Sequence, residues 1–153
     1  MNVTVHSRES IEQLIASGIF PQNTAVISFY DPPSVAAKAY HPVDYSRVTK
    51  DVFYVELPDM DWYAYAPAAR LRCGMLPDAE GLAAFIRRAV ITHNNIICQC
   101  EYGRSRSAAC AAAILAYYDH AGKPIFEDAR YCPNHLVYDE VMCALKKWGG
   151  NVT

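Results

Sequence analysis

The chain has 153 residues, of which 52% are hydrophobic and 20% charged. That is enough apolar material for a packed core within the ~100–200 residues of one domain, and too much for long disordered segments. Fourteen Lys and Arg against 16 Asp and Glu give a net charge of −2, which excludes a general basic footprint for nucleic acid but not a local basic pocket.

In chain order, Asn2–His6 reads as a short β-branched strand. A helix is expected over Arg8–Gly18, with Ser7 as cap, Ile11, Leu14 and Ile15 as its apolar stripe and Gly18 as its end. Ala25–Tyr30 is an apolar run of strand type halted by Asp31-Pro32-Pro33, and Asp51–Leu57 is another, closed by Pro58. Pro58–Pro77 has no sustained period. It carries Trp62, Tyr63 and Tyr65, which suit either loop packing or a wall for an aromatic substrate. A helix follows over about Asp78–Thr92, then a buried strand, Asn95–Gln99, a polar loop, Cys100–Arg106, and an alanine-rich helix, Ser107–His120, stopped by Gly122. Two last helices are expected over Ile125–Tyr131 and over Asn134–Trp148, the latter capped by Asn134 and stopped by Gly149-Gly150. Strands alternating with helices predict an α/β fold, a central mostly parallel sheet flanked by helices, in a single domain over residues 1–153.

The N-terminus has no basic segment followed by an apolar run, so no signal peptide is expected. The longest apolar run, Ala108–Tyr118, is eleven residues, short of the ~20 that span a bilayer. A cytoplasmic, reducing setting is the resulting expectation, with no membrane insertion and all six cysteines free. The cysteines contain no C-x-x-C pair and the five histidines no i,i+4 pair, so neither a metal site nor a cofactor is expected.

The loop Cys100-Glu101-Tyr102-Gly103-Arg104-Ser105-Arg106, followed by Ser107, sits where α/β folds bind ligands, beyond the carboxyl end of a strand. Successive loop amides and a helix N-terminus can converge on one anion there. Gly103 lets the backbone bend, and Arg106 can fold back as a planar fork onto phosphate oxygens. A thiol at the base of such a nest sits in positive potential, which favours the nucleophilic thiolate. The register that starts at Cys98 is disfavoured, because it puts Glu101 at the glycine position and begins the loop inside the strand.

Cys-x5-Arg-Ser with glycine three after the cysteine resembles the phosphate-binding loop of the cysteine-dependent protein tyrosine phosphatases. QCEYGRSRSAACAAAILAYY is most similar to their small dual-specificity-like members. AVISFYDP, VELPDMD and ARYCPNHLVYDEV resemble segments of the bacterial and phage tyrosine-phosphatase-like proteins. The resemblance implies a phosphatase-like fold and a cysteinyl-phosphate mechanism. Cys100 would be the nucleophile. Arg106 and the loop residues Glu101, Tyr102, Gly103, Arg104 and Ser105 would hold phosphate, and Ser107 would assist the thiolate. Asp59 would be the general acid, with Asp61 the alternative. The substrate would be a phosphorylated protein or a small phosphomonoester.

Gln99 stands where that family usually has histidine, which leaves a non-catalytic phosphate-binding module as a reading of another class. Arg104 beside Arg106 leaves room for inositol-phosphate, phosphoinositide or RNA 5′-phosphate substrates, and Glu101 argues against them. Arg104 otherwise reads as a solvated loop charge, and Glu101 as outward-pointing or paired with a cation. Cys98 reads as buried packing or as a backup thiol for oxidised Cys100, and Cys110 as core.

Overall fold

The computed structural model describes residues 1–33, 41–60 and 74–150. Asp61, Trp62, Tyr63 and Tyr65 lie outside the described residues. Four strands form one all-parallel sheet: β1 (Asn2–Ser7), β2 (Thr24–Tyr30), β3 (Val52–Glu56) and β4 (Asn95–Cys100), in the order β1-β4-β2-β3. With its flanking helices it is the α/β architecture expected from the alternation of elements.

Side chains alternate across the central strands, and the alternation divides the core. Ile97 of β4 and Val26 of β2 meet Ile11 of helix α1 (Arg8–Ala16), together with Val43 and Tyr45. Ile96 and Cys98 of β4, with Ala25, Ile27 and Phe29 of β2, face the other way. They meet α2 (Ala79–Thr92), α3 (Arg106–Tyr118) and α5 (His135–Ala144). Burying an Ile or Phe side chain is worth about 1.5–3 kcal/mol, so β2 and β4, buried on both faces, anchor the sheet. Residues Ala108–Ala113 are wholly buried. Their small side chains let α3 lie close on the sheet immediately after the loop that follows β4.

Local chemistry sets the helix ends. The Ser7 hydroxyl accepts from Ser10 N, Asp78 from Gly81 N and Asn134 from Val137 N, each a side-chain cap on α1, α2 or α5. Several element boundaries differ from the sequence expectation. Helix α3 begins at Arg106, so the arginine lies on its first turn. It ends at Tyr118, where His120, not Gly122, takes the left-handed backbone conformation (φ 54°). Helix α4 is a short turn, Lys123–Glu127, because Pro124 suits a helix start and Asp128 is already extended. Helix α5 gives way at Leu145–Gly149 to a π turn that ends at Gly150 (φ 62°).

The expectation of six free thiols is corrected. Cys98, Cys100, Cys110 and Cys132 are free, but Cys143 is disulfide-bonded. Composition and compartment gave no sign of this, because the fold decides which thiols meet. Cys143 lines a cavity with Gly74 and Glu140, where the Glu140 carboxylate fixes the incoming backbone by accepting from Gly74 N, Met75 N and Leu76 N.

Candidate active site

Cys100 closes β4 and is 2% exposed, its Sγ 3.0 Å from Ser107 Oγ on the first turn of α3. Strand, loop and helix thus turn back on themselves so that the thiol faces the start of the helix. Contacts on both sides fix the loop. Arg8 N donates to Glu101 O (3.1 Å), Cys132 N to Arg104 O (2.9 Å) and Asn134 N to Ser105 O (3.2 Å). Gly103 adopts φ 66° and lies so close to β1 that a Cβ there would sit 2.5 Å from Ser7 N and 2.7 Å from the His6 carbonyl carbon. Both the conformation and the approach require glycine.

Among the described residues, Arg106 is the largest fully buried side chain, 2% exposed. A buried guanidinium needs partners. Nη1 donates to Asp31 Oδ1 at 2.8 Å and to Leu57 O at 2.6 Å. Nε is buried and has no hydrogen-bond partner among the described residues. One edge of the fork is therefore anchored to the ends of β2 and β3, while a donor on the other remains for an incoming acceptor. The Ser105 side chain does not cap α3. Its hydroxyl instead donates to Asp59 Oδ1 at 2.7 Å, which also accepts from Asn134 Nδ2 at 3.0 Å. The structure thus brings Asp59, Ser105, Arg106, Ser107 and Cys100 together at the carboxyl edge of the sheet.

The remaining loop side chains turn away. Glu101 pairs with Arg8 at 3.1 Å, the cation partner that its charge called for. Tyr102 is 78% exposed. Arg104 is a surface charge whose Nε donates to Arg130 O at 3.2 Å. Any part that Glu101, Tyr102 and Arg104 take in holding phosphate falls to their backbone. Gln99, behind the thiol, is buried and accepts on Oε1 from Ser28 Oγ (2.5 Å) and Tyr45 Oη (2.9 Å). Burial pushes the Tyr45 hydroxyl above its ordinary range, so it is a neutral donor. Cys98 is fully buried and hydrogen-bonded to Cys110, and that bond together with burial raises its thiol well above the ordinary value. Packing is therefore the role its surroundings support.

Two participants were not singled out from the sequence. The sequence marks Asp31 only as part of a strand terminator and Asn134 only as a helix cap. A usable signal existed for Asp31: it ends β2, the neighbour of β4, and the carboxyl ends of adjacent parallel strands converge on one site. Asn134 carried none, because its contact with Asp59 spans 75 residues.

No protein-family model matches the chain, and no curated protein matches it in sequence. Among solved structures, the chain is similar to the crystal structure of PTPMT1 in complex with PI(5)P. The TM-score is 0.53 at 12% identity, over 95% of this chain and 91% of that one. The similarity establishes a protein tyrosine phosphatase-like fold. Among the described residues, no helix is long and apolar enough to cross a membrane.

Proposed function

We propose that this chain is a cysteine-dependent phosphomonoester hydrolase of the protein tyrosine or dual-specificity phosphatase type. The observation that carries the reading is the pairing of Cys100 Sγ with Ser107 Oγ at 3.0 Å in a loop where the buried Arg106 Nε still has a proton to donate. In the first step, Cys100 Sγ attacks phosphorus. The S–P bond forms as the bond to the leaving oxygen breaks, and Asp59 protonates that oxygen. Arg106 and the loop amides bind the equatorial oxygens, where charge is redistributed in the transition state. Asp59, now ionised, then takes a proton from water, which attacks the cysteinyl-phosphate and releases inorganic phosphate. Ser107 donates to the departing thiolate.

Turnover of an aryl phosphate with inhibition by vanadate is the test. Cys100→Ser is expected to abolish turnover, and full activity in that variant would defeat the reading. Asp59→Ala is expected to lower turnover more than Asp61→Ala, and the reverse order would move the acid to Asp61. Phosphopeptide binding without any turnover would favour the non-catalytic module.

A second substrate reading, phosphoinositides, is favoured by one observation: the structurally similar PTPMT1 was solved in complex with PI(5)P. Arg8 also answers the Glu101 charge that argued against a multiply charged substrate. Comparing turnover of a phosphotyrosyl peptide with that of a soluble phosphoinositide separates the two.

A further inference from the structure

We propose that Asn134 is a positioning residue that presents the Asp59 carboxyl group to the loop through one oxygen, leaving Oδ2 as the atom that carries and delivers the proton. The inference rests on the phosphatase reading above.

Asn134 is 1% exposed and joins three parts of the molecule. Its backbone N–H donates to Ser105 O in the loop at 3.2 Å. Its side-chain Oδ1 accepts from Val137 N at 3.1 Å and caps α5. Its Nδ2 donates to Asp59 Oδ1 at 3.0 Å. The amide orientation is determined by chemistry rather than by shape. Turning it over would set an NH2 group against the Val137 N–H and a carbonyl oxygen against the Asp59 carboxylate, replacing two attractive contacts with two repulsive ones. The cap on α5 therefore obliges Nδ2 to face Asp59.

Asp59 Oδ1 receives a second donor, Ser105 Oγ at 2.7 Å. An oxygen that already accepts from an amide and a hydroxyl is a poor place for a further proton, whose hydrogen would crowd both donors. Protonation consequently falls on Oδ2. The same two bonds hold the carboxyl plane against the loop, since one donor belongs to the loop and the other to a residue bonded to it. General acid catalysis contributes roughly 10²–10⁴-fold and depends on such placement.

The test compares phenyl phosphate, whose leaving oxygen needs the proton, with a nitro-substituted aryl phosphate, whose leaving group departs without one. Asn134→Ser keeps a capping hydroxyl for α5 and removes the donor to Asp59. It is expected to lower kcat for phenyl phosphate by about tenfold, and for the activated ester by less than about twofold, with KM unchanged. In an Asp59→Ala background the same substitution should cost nothing further. Ser105→Ala, which leaves the α5 cap intact, should show the same asymmetry, so the result does not depend on one variant folding well. Equal losses on both substrates, or an undiminished loss in the Asp59→Ala background, would overturn the positioning role. With wild-type turnover present and abolished by Cys100→Ser, that result leaves the phosphatase reading standing, whereas absence of wild-type turnover removes both.

Discussion

Arg106 Nη1 and Asp31 Oδ1 lie 2.8 Å apart, joining residues 75 positions apart in the chain. The arginine is 2% exposed and the aspartate 22%, so the pair is held mostly out of water and fixes one edge of the guanidinium. Its partner on the same nitrogen, Leu57 O, cannot supply compensating charge. Asp31→Asn keeps a hydrogen-bond acceptor and loses the charge, while Asp31→Ala loses both. A hydrogen bond to a charged group is worth about 1.5–3 kcal/mol, and the partial exposure of Asp31 places the alanine variant toward the lower end. Vanadate inhibition and aryl phosphate turnover should both weaken by about ten- to a hundredfold in Asp31→Ala, and less in Asp31→Asn. Unchanged vanadate affinity would show that Arg106 is oriented without Asp31.

Gly103 tests the loop itself. A Cβ at this position would approach Ser7 N to 2.5 Å, and the atoms in the way are backbone, which cannot swing aside. The φ of 66° is a further obstacle for alanine. Gly103→Ala is therefore expected to push the loop off β1, with a stability loss of about 1–3 kcal/mol and a larger fractional loss of vanadate binding. A thermal melt paired with vanadate titration measures both, and wild-type values for both would mean that the loop closes without that contact.

The loop was legible because its chemistry is local. Cys100, Gly103, Arg106 and Ser107 stand at fixed offsets within eight residues, between an apolar strand and an alanine-rich helix. The sheet was legible for a similar reason, since apolar runs separated by capped helices leave few alternatives to a parallel α/β layer. What the sequence did not show depends on contacts between distant segments. Asp31 meets Arg106, Asn134 meets Asp59, and Tyr45 and Ser28 converge on Gln99 only once four strands are in register. The Cys143 disulfide belongs with these, because cysteine spacing along a chain does not determine proximity in the fold. Helix boundaries shifted where a terminating residue had competitors, as His120 competed with Gly122 at the end of α3.

Glu140 is a buried carboxylate, 5% exposed, whose hydrogen-bond partners among the described residues are backbone amides. Its Oε2 accepts from Gly74 N, Met75 N and Leu76 N at 3.0, 3.1 and 3.2 Å, and Oε1 accepts from Gly74 N at 3.1 Å. Glu140→Gln can keep one oxygen on the three amides, so a loss of about 1 kcal/mol is expected. Glu140→Ala strands the N–H groups and should cost about 3 kcal/mol or more. Denaturant unfolding of the two variants measures the difference. Equal losses would show that side-chain packing, rather than amide capping, is what Glu140 supplies.

His6 gives the fold a pH dependence whose sign is fixed. Its ring lies between Ser10 Oγ (Nδ1, 3.0 Å) and Thr4 Oγ1 (Nε2, 3.2 Å), and burial lowers its pKa below the ordinary value of 6.5. Burial disfavours the charged imidazolium, so below 6.5 the unfolded chain binds this proton more readily than the folded one. The stability associated with neutral His6 is therefore complete above 6.5 and is lost as pH falls toward the lowered folded value. The ring is only part-buried, which keeps the effect modest. Because the His6 backbone lies against Gly103, the loss is felt beside the Cys100–Arg106 loop. His6→Gln retains hydrogen-bonding capacity without a titrating proton. Between about pH 7.5 and pH 5 the wild type should lose a few degrees of Tm more than His6→Gln does. Parallel losses in the two proteins would assign the acid sensitivity to other groups.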